Sequence, residues 1–179
     1  MTKRVAIVGI GTTGFRATTP DVSYRELTYE AAMKAYLDAG VEPKDIHSFV
    51  STAEDFFEGY SIADEYSPDQ LGAVLKPIYT VPGDFIQSLA SAYMMILSGI
   101  GPISVVQGMS KASNMLTLSE MVTFAMDPIY NRPLGESPQA IAGLEMARFM
   151  YETGTTREQI AKVVVKNKRN ALDNPYAGH

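Results

Sequence analysis

The sequence predicts an α/β protein: a mostly parallel sheet with helices on both faces. Three observations carry this. Val5 to Val8 is apolar without alternation and bounded by Gly9, as in a strand covered on both faces. Three further short strand candidates follow, at Ile46 to Thr52, Ile78 to Val81 and Ile103 to Val106. Helix signals fall between them, giving a β-α-β-α-β-α-β order, and alternation of this kind implies parallel strands with helical crossovers. A chain of 179 residues suits one domain, or one plus a small excursion. At that length about 70% of the unfolded surface can be buried, so a core forms without staples.

Taken in order, Val5 to Val8 is the first strand. Ser23-Tyr-Arg-Glu26 has capping-box spacing, Leu27, Ala31, Ala35 and Leu37 to Ala39 supply the apolar stripe, and Gly40 stops that helix. Ile46 to Thr52 is the second strand. Residues Glu54 to Tyr66 are acidic and aromatic without a period and read as a loop. Ser67-Pro68-Asp69-Gln70 starts a helix that Pro77 keeps short. Ile78 to Val81 is the third strand and Pro82-Gly83-Asp84 a turn. Phe85 to Leu97 is a helix apolar on nearly every side, hence expected to be buried, and Ser98-Gly99 closes it. Ile103 to Val106 is the fourth strand.

Residues 109–136 read as an irregular excursion, a kind of segment that is usually functional or an interface. Ser137-Pro138 opens a helix running to Gly154. Thr155-Thr-Arg-Glu158 has the spacing of a second capping box, and the last helix ends near Ala171. The expected organisation is therefore a core over 1–108, an excursion over 109–136, and closing helices over 137–179.

Composition excludes several classes of function. With no cysteine, disulfides, zinc–thiolate sites, iron–sulfur clusters and cysteine nucleophiles are ruled out, and no metal is expected. Fifteen basic against twenty acidic residues give a net charge of −5, which disfavours nucleic acid and anionic membrane surfaces. No run approaches the roughly 18 apolar residues of a membrane span, and the N-terminal apolar run is too short for a signal peptide. The expected location is the cytoplasm.

Five motifs carry candidate chemistry. Gly9-Ile-Gly11-Thr-Thr-Gly14 matches the dinucleotide pattern, but no helix opens at Gly14 and no acidic residue ends a second strand about 20 residues on. A packing turn is the plainer reading. Asp84 stands at a strand-to-helix junction, where free N–H groups and partial positive charge suit an oxyanion or a nucleophile; it is equally a plain N-cap. Ser88 and Ser91 follow on the same helix. A serine nucleophile needs a base, and neither His47 nor His179 is placed by any pattern, so close helix packing is favoured for both serines. Lys111, with Ser110 and Ser113, follows the fourth strand, where ligands of open α/β sheets bind. It is a candidate cofactor-binding residue or a solvated lysine. Lys162, Lys166, Lys168 and Arg169 complement the last helix's dipole, and a coenzyme A phosphate could use the same charge.

Several stretches together resemble the thiolase superfamily, specifically its archaeal-type and lipid-transfer-protein-like thiolases. They are Val5 to Phe15, Ala32 to Val41 leading to Asp45-Ile46, Lys76 to Val81, Ser98-Gly99, Gly108 to Ser113, Asp127 to Leu134, and Lys166 to Pro175. The resemblance spans nearly the whole chain and implies one of that family's two similar β-α-β-α-β-α-β halves, the N-terminal one. It implies work on coenzyme A thioesters and an oligomer. Partners in the archaeal-type group include a small zinc-ribbon/OB-fold subunit.

Two departures shape what the resemblance implies. The family's nucleophilic cysteine, at the start of the helix after the third strand, is missing: counting places it between Pro82 and Phe85, where Asp84 is the only ionisable residue. Carbon–carbon bond formation or cleavage with a base and an oxyanion hole does not need that sulfur. The family's C-terminal half is also absent from this chain. The expectation is a subunit or fragment of an acyl-CoA-processing enzyme, working by cysteine-independent carbon–carbon bond formation or cleavage or by acyl transfer, with Asp84 and Ser88 as catalytic candidates and its active site completed by another chain or segment. The alternative is a non-catalytic scaffold or acyl-binding subunit of a thiolase-like complex.

Overall fold

The computed structural model describes residues 4–55, 62–115 and 118–177. Two compact units divide the chain: Met1–Thr13 with Thr18–Met115, and Gly14–Ala17 with Leu116–His179. The first unit holds a three-stranded parallel sheet. Its strands are β1 (Ser48–Thr52), β2 (Ile78–Val81) and β3 (Ser104–Gly108), in the order β2-β1-β3. Register pairs Phe49 with Ile78 and Val105, and Thr52 with Val81 and Gly108.

Helices cover both faces of this sheet, as the sequence predicts. Helix α1 (Tyr24–Ala39) starts at a complete capping box between Ser23 and Glu26 and stops at Gly40. Its buried residues Thr28, Ala32 and Tyr36 recur every four positions, forming one stripe. Ala32 and Tyr36 pack with Phe49, Ile46, Leu71 and Ala73 into the core. Two one-turn helices, α2 (Ala63–Tyr66) and α3 (Pro68–Leu71), precede β2. Side chains alternate along a strand, so Thr52 points away from Phe49. It meets α4 (Phe85–Ser98) on the other face, where Thr52 Oγ1 donates to Ser88 Oγ at 2.7 Å.

Tyr36 is the polar seam in the core. Its hydroxyl donates to the Leu71 carbonyl at 2.7 Å, and burial pushes its pKa up to about 12. The unfolded tyrosine ionises near 10. The stability this difference supplies is therefore intact below about pH 10 and is lost as pH rises through 10 towards 12. A denaturation series across that window should show a steep fall that Tyr36→Phe removes.

Four sequence expectations need correction. Val5 to Val8 is not a strand here. Residues 4–13 run without turn or bend and without ladder pairing, and Ile7 and Val8 are largely exposed. The segment lies along α1 instead: Ile10 N–H donates to Asp38 Oδ2 at 2.9 Å, and a Cβ on Gly9 or Gly11 would collide with the Ala35 or Ala31 carbonyl. Those glycines therefore allow backbone to approach a helix, which is why they are present without a nucleotide loop. Ser67 does not cap α3; it sits in helical conformation with its hydroxyl unbonded. The loop expected over Glu54 to Tyr66 ends in α2, and its residues 56–61 lie outside the described residues. Helix α4 is not buried all round, since Phe85, Ile86, Tyr93 and Met94 are exposed.

The second unit is helical. The excursion is more ordered than expected: it contains α5 (Leu118–Phe124) and a tight turn in which Asp127 accepts from the N–H groups of Ile129 and Tyr130 at 2.8 and 2.7 Å. Those two bonds hold the Asp127 carboxyl below its usual range. Ser137 caps α6 (Pro138–Thr153). Helix α7 (Arg157–Leu172) starts from a capping box one residue later than expected, between Thr156 and Gln159. Neither α6 nor α7 buries a residue.

Candidate functional site at the β2–α4 junction

Strand β2 delivers the chain to Pro82-Gly83-Asp84 at the carboxyl end of the sheet, beside the ends of β1 and β3. That is where open α/β sheets place ligands. Gly83 takes φ 107°, and the Gln87 side chain occupies the space a Cβ would need. Only glycine makes this turn without strain. The turn sets Asp84 at the N-cap of α4 with extended backbone (φ −80°, ψ 150°).

Asp84 occupies the cap position without capping. Its carboxylate makes no hydrogen bond to the helix and is exposed, and no other acidic residue lies in the first turn. A helix N-terminus carries unsatisfied N–H groups and about half a positive charge. The junction thus combines a free carboxylate with donors able to stabilise a developing oxygen anion. Phe85 forms one wall: its ring lies against Gly108, where a Cβ would come within 3.0 Å of it.

Ser88 lies one turn further on, the same side of the helix as Asp84. It is fully buried, with its Oγ engaged by Thr52. Ser91 donates to the Gln87 carbonyl at 3.0 Å. Both serines act in packing as the structure stands. His47 precedes β1 and donates its N–H to the Ile103 carbonyl at 3.0 Å, at the opposite end of the strand from Thr52. Five strand residues span about 16 Å, so His47 cannot serve as base at the junction. His179 lies outside the described residues. Among the described residues no group of His, Asp or Glu could hold a metal ion, and no helix is long and apolar enough to cross a membrane.

Lys111 does not face an open crevice. It is 3% exposed, and its Nζ donates to the Thr19 carbonyl, to Thr19 Oγ1 at 2.8 Å and to the Val22 carbonyl at 2.6 Å. All three N–H donors are spent, which leaves none for a phosphate. The lysine instead ties the end of β3 to the entry of α1. Nothing in the residue spacing signalled this, because the acceptors are about 90 positions away. Lys111→Met would remove all three hydrogen bonds and leave two half-buried carbonyls without this donor, at a cost of about 1–3 kcal/mol in all, so thermal unfolding should show a clear loss of stability.

No protein-family model matches the sequence. Comparison with individual proteins is informative. The chain is 31% identical to the acetyl-CoA acetyltransferase of Methanothermobacter thermautotrophicus, over 97% of its own length and 46% of that protein's. It is 26% identical to the 17-hydroxy-3-oxo-4-pregnene-20-carboxyl-CoA lyase of Mycobacterium tuberculosis, over 97% of its length and 47% of the lyase. The chain is a thiolase-like polypeptide. The fold agrees: the solved Ltp2-ChsH2(DUF35) aldolase matches with a TM-score of 0.73 at 24% identity, over 96% of this chain and 44% of that one. The thiolase-like chain therefore spans about half the length of the relatives it matches.

Proposed function

We propose that the thiolase-like chain forms part of an enzyme acting on acyl-CoA thioesters by cysteine-independent chemistry at the β2–α4 junction. The observation that carries this is the unbonded, exposed carboxylate of Asp84 at the N-terminus of α4, in a chain without cysteine. Asp84 is the base. It takes a proton from the carbon beside a thioester carbonyl, or from a β-hydroxyl during retro-aldol cleavage. In both cases electron density gathers on the thioester oxygen, where the first-turn N–H groups of α4 stabilise it. Ser88 holds the helix to β1 through Thr52 and positions that first turn. Lys111 fixes the neighbouring loop and does not contact the coenzyme. The names of the relatives, a CoA acetyltransferase and a CoA lyase, support this substrate class.

The active site is completed by further polypeptide, either a continuation of this protein or a separate chain. The exposed apolar face of α4 supports this, as does a match to under half of each relative. The complementary thiolase-like half covers that face, and a small zinc-ribbon/OB-fold subunit joins the assembly. The two-component composition of the solved aldolase favours a multi-subunit arrangement.

The test is to combine the chain with its complementary half and assay turnover of CoA thioesters. Turnover that requires both components is the expected result. A second reading, a non-catalytic scaffold or acyl-binding subunit, is favoured by the burial of Ser88 and the remoteness of His47. Turnover indifferent to changes at the junction would select it.

A further inference from the structure

A different part of the first unit carries a separate inference. Ser51, Thr80 and Gln107 are each the penultimate residue of their strand. Register sets Thr80 and Gln107 directly beside Ser51, one on each side, so the three form a row across the whole sheet. Alternation puts this row on the Phe49 face, under α1 and away from the Thr52–Ser88 contact. Helix α1 runs antiparallel to the strands, because Lys111 after β3 grips Thr19 and Val22 ahead of α1. Ala32 belongs to the same core cluster as Phe49; one turn along α1 from it, about 6 Å, the buried stripe ends in Thr28, and Ser51 stands about 7 Å beyond Phe49 in the same direction, so helix and strand rise bring Thr28 to the level of the row.

These polar groups are shut off from solvent and have no partner. Thr28 Oγ1, Ser51 Oγ, Thr80 Oγ1 and both amide atoms of Gln107 are buried without a hydrogen bond. Ser51 is fully buried and Gln107 is 7% exposed. Buried polar groups in native proteins are almost always satisfied, and orphan atoms on three residues that register sets side by side, with a fourth at the same level of α1, point to a shared occupant.

We propose that this row binds ordered water, bridging Ser51, Thr80, Gln107 and Thr28 beneath the N-terminal half of α1. The donor set selects water. Hydroxyls and an amide both donate and accept, and the occupant must do the same. A cation would face the Gln107 NH2 group with no carboxylate among these four residues, and burying it uncompensated is strongly unfavourable. An outside side chain does not reach atoms already enclosed by this chain. Water making about three hydrogen bonds is the ordinary solution to such a site.

A high-resolution crystal structure of the intact protein tests this directly. The expected result is solvent density within hydrogen-bond distance of at least two of the four side chains. Direct bonds among them with no density between, or density that refines as a metal ion, would overturn the proposal. Thermal unfolding of Ser51→Ala and Thr80→Val gives an independent reading with opposite signs. If water is bound, each loses part of its coordination and the melting temperature falls, by about 2–4 °C for a loss near one hydrogen bond. If the site is dry, removing an orphan hydroxyl leaves the melting temperature unchanged or raises it, which contradicts bound water.

Discussion

Asp84→Ala in the reconstituted assembly lowers turnover of CoA thioesters by about 10²- to 10⁴-fold, the usual contribution of a positioned general base. The side chain makes no hydrogen bond to α4, so its removal leaves the helix start as it was. Surface changes of this kind alter stability by about 0.5 kcal/mol or less. Loss of rate with an unchanged melting temperature and unchanged assembly is the expected pattern. Asp84→Asn keeps the shape and removes the basicity, so it should be as inactive as the alanine variant. Retention of full activity in either variant removes Asp84 from the chemistry and leaves the junction without a base.

The second large effect concerns assembly. Ile86, Ala90, Tyr93, Met94 and Leu97 recur at helical spacing along α4 and form one stripe, opposite the buried Ser88 and Ala92. Ile86 is 66% and Met94 60% exposed. Exposed apolar surface of this continuity marks an interface. Ile86→Glu combined with Met94→Glu should weaken binding of the complementary half by about 2 kcal/mol or more, roughly thirtyfold or greater. Because the stripe points away from the sheet, the chain's own unfolding midpoint should barely move. Titration of one component into the other, followed by calorimetry, measures this. Undiminished affinity in the double variant would place the interface elsewhere.

Much of the fold was legible because the signals were local. The Ser23–Glu26 capping box, the stop at Gly40, the start at Ser137-Pro138 and the limits of β2 need only neighbouring residues. The errors lie where distant groups decide. Val5 to Val8 has a strand's composition, yet ladder pairing depends on an adjacent edge, and here the segment rests on α1 through Gly9 and Gly11. Helix α4 has the composition of a buried helix, but composition cannot say which residues do the covering. The sheet takes one face and the other is open.

The candidate site divides in the same way. Asp84 was recognisable because a strand-to-helix junction is a local pattern. That its carboxylate would be free of the helix was not, since an N-cap aspartate ordinarily bonds the first turn. Lys111 was expected at a crevice because it follows a strand. Its true environment depends on Thr19 and Val22, brought near only by the fold. The pairing of Ser88 with Thr52 is likewise a tertiary contact between residues 36 positions apart.

Hydroxyl-radical footprinting of α4 tests the central claim most directly. Oxidation of Ile86, Tyr93 and Met94 would be measured in the 19.5 kDa chain by itself and again with its complementary half. The account predicts strong labelling of all three in the isolated chain and their protection in the assembly. A compact monomer in which these side chains are already shielded would contradict it.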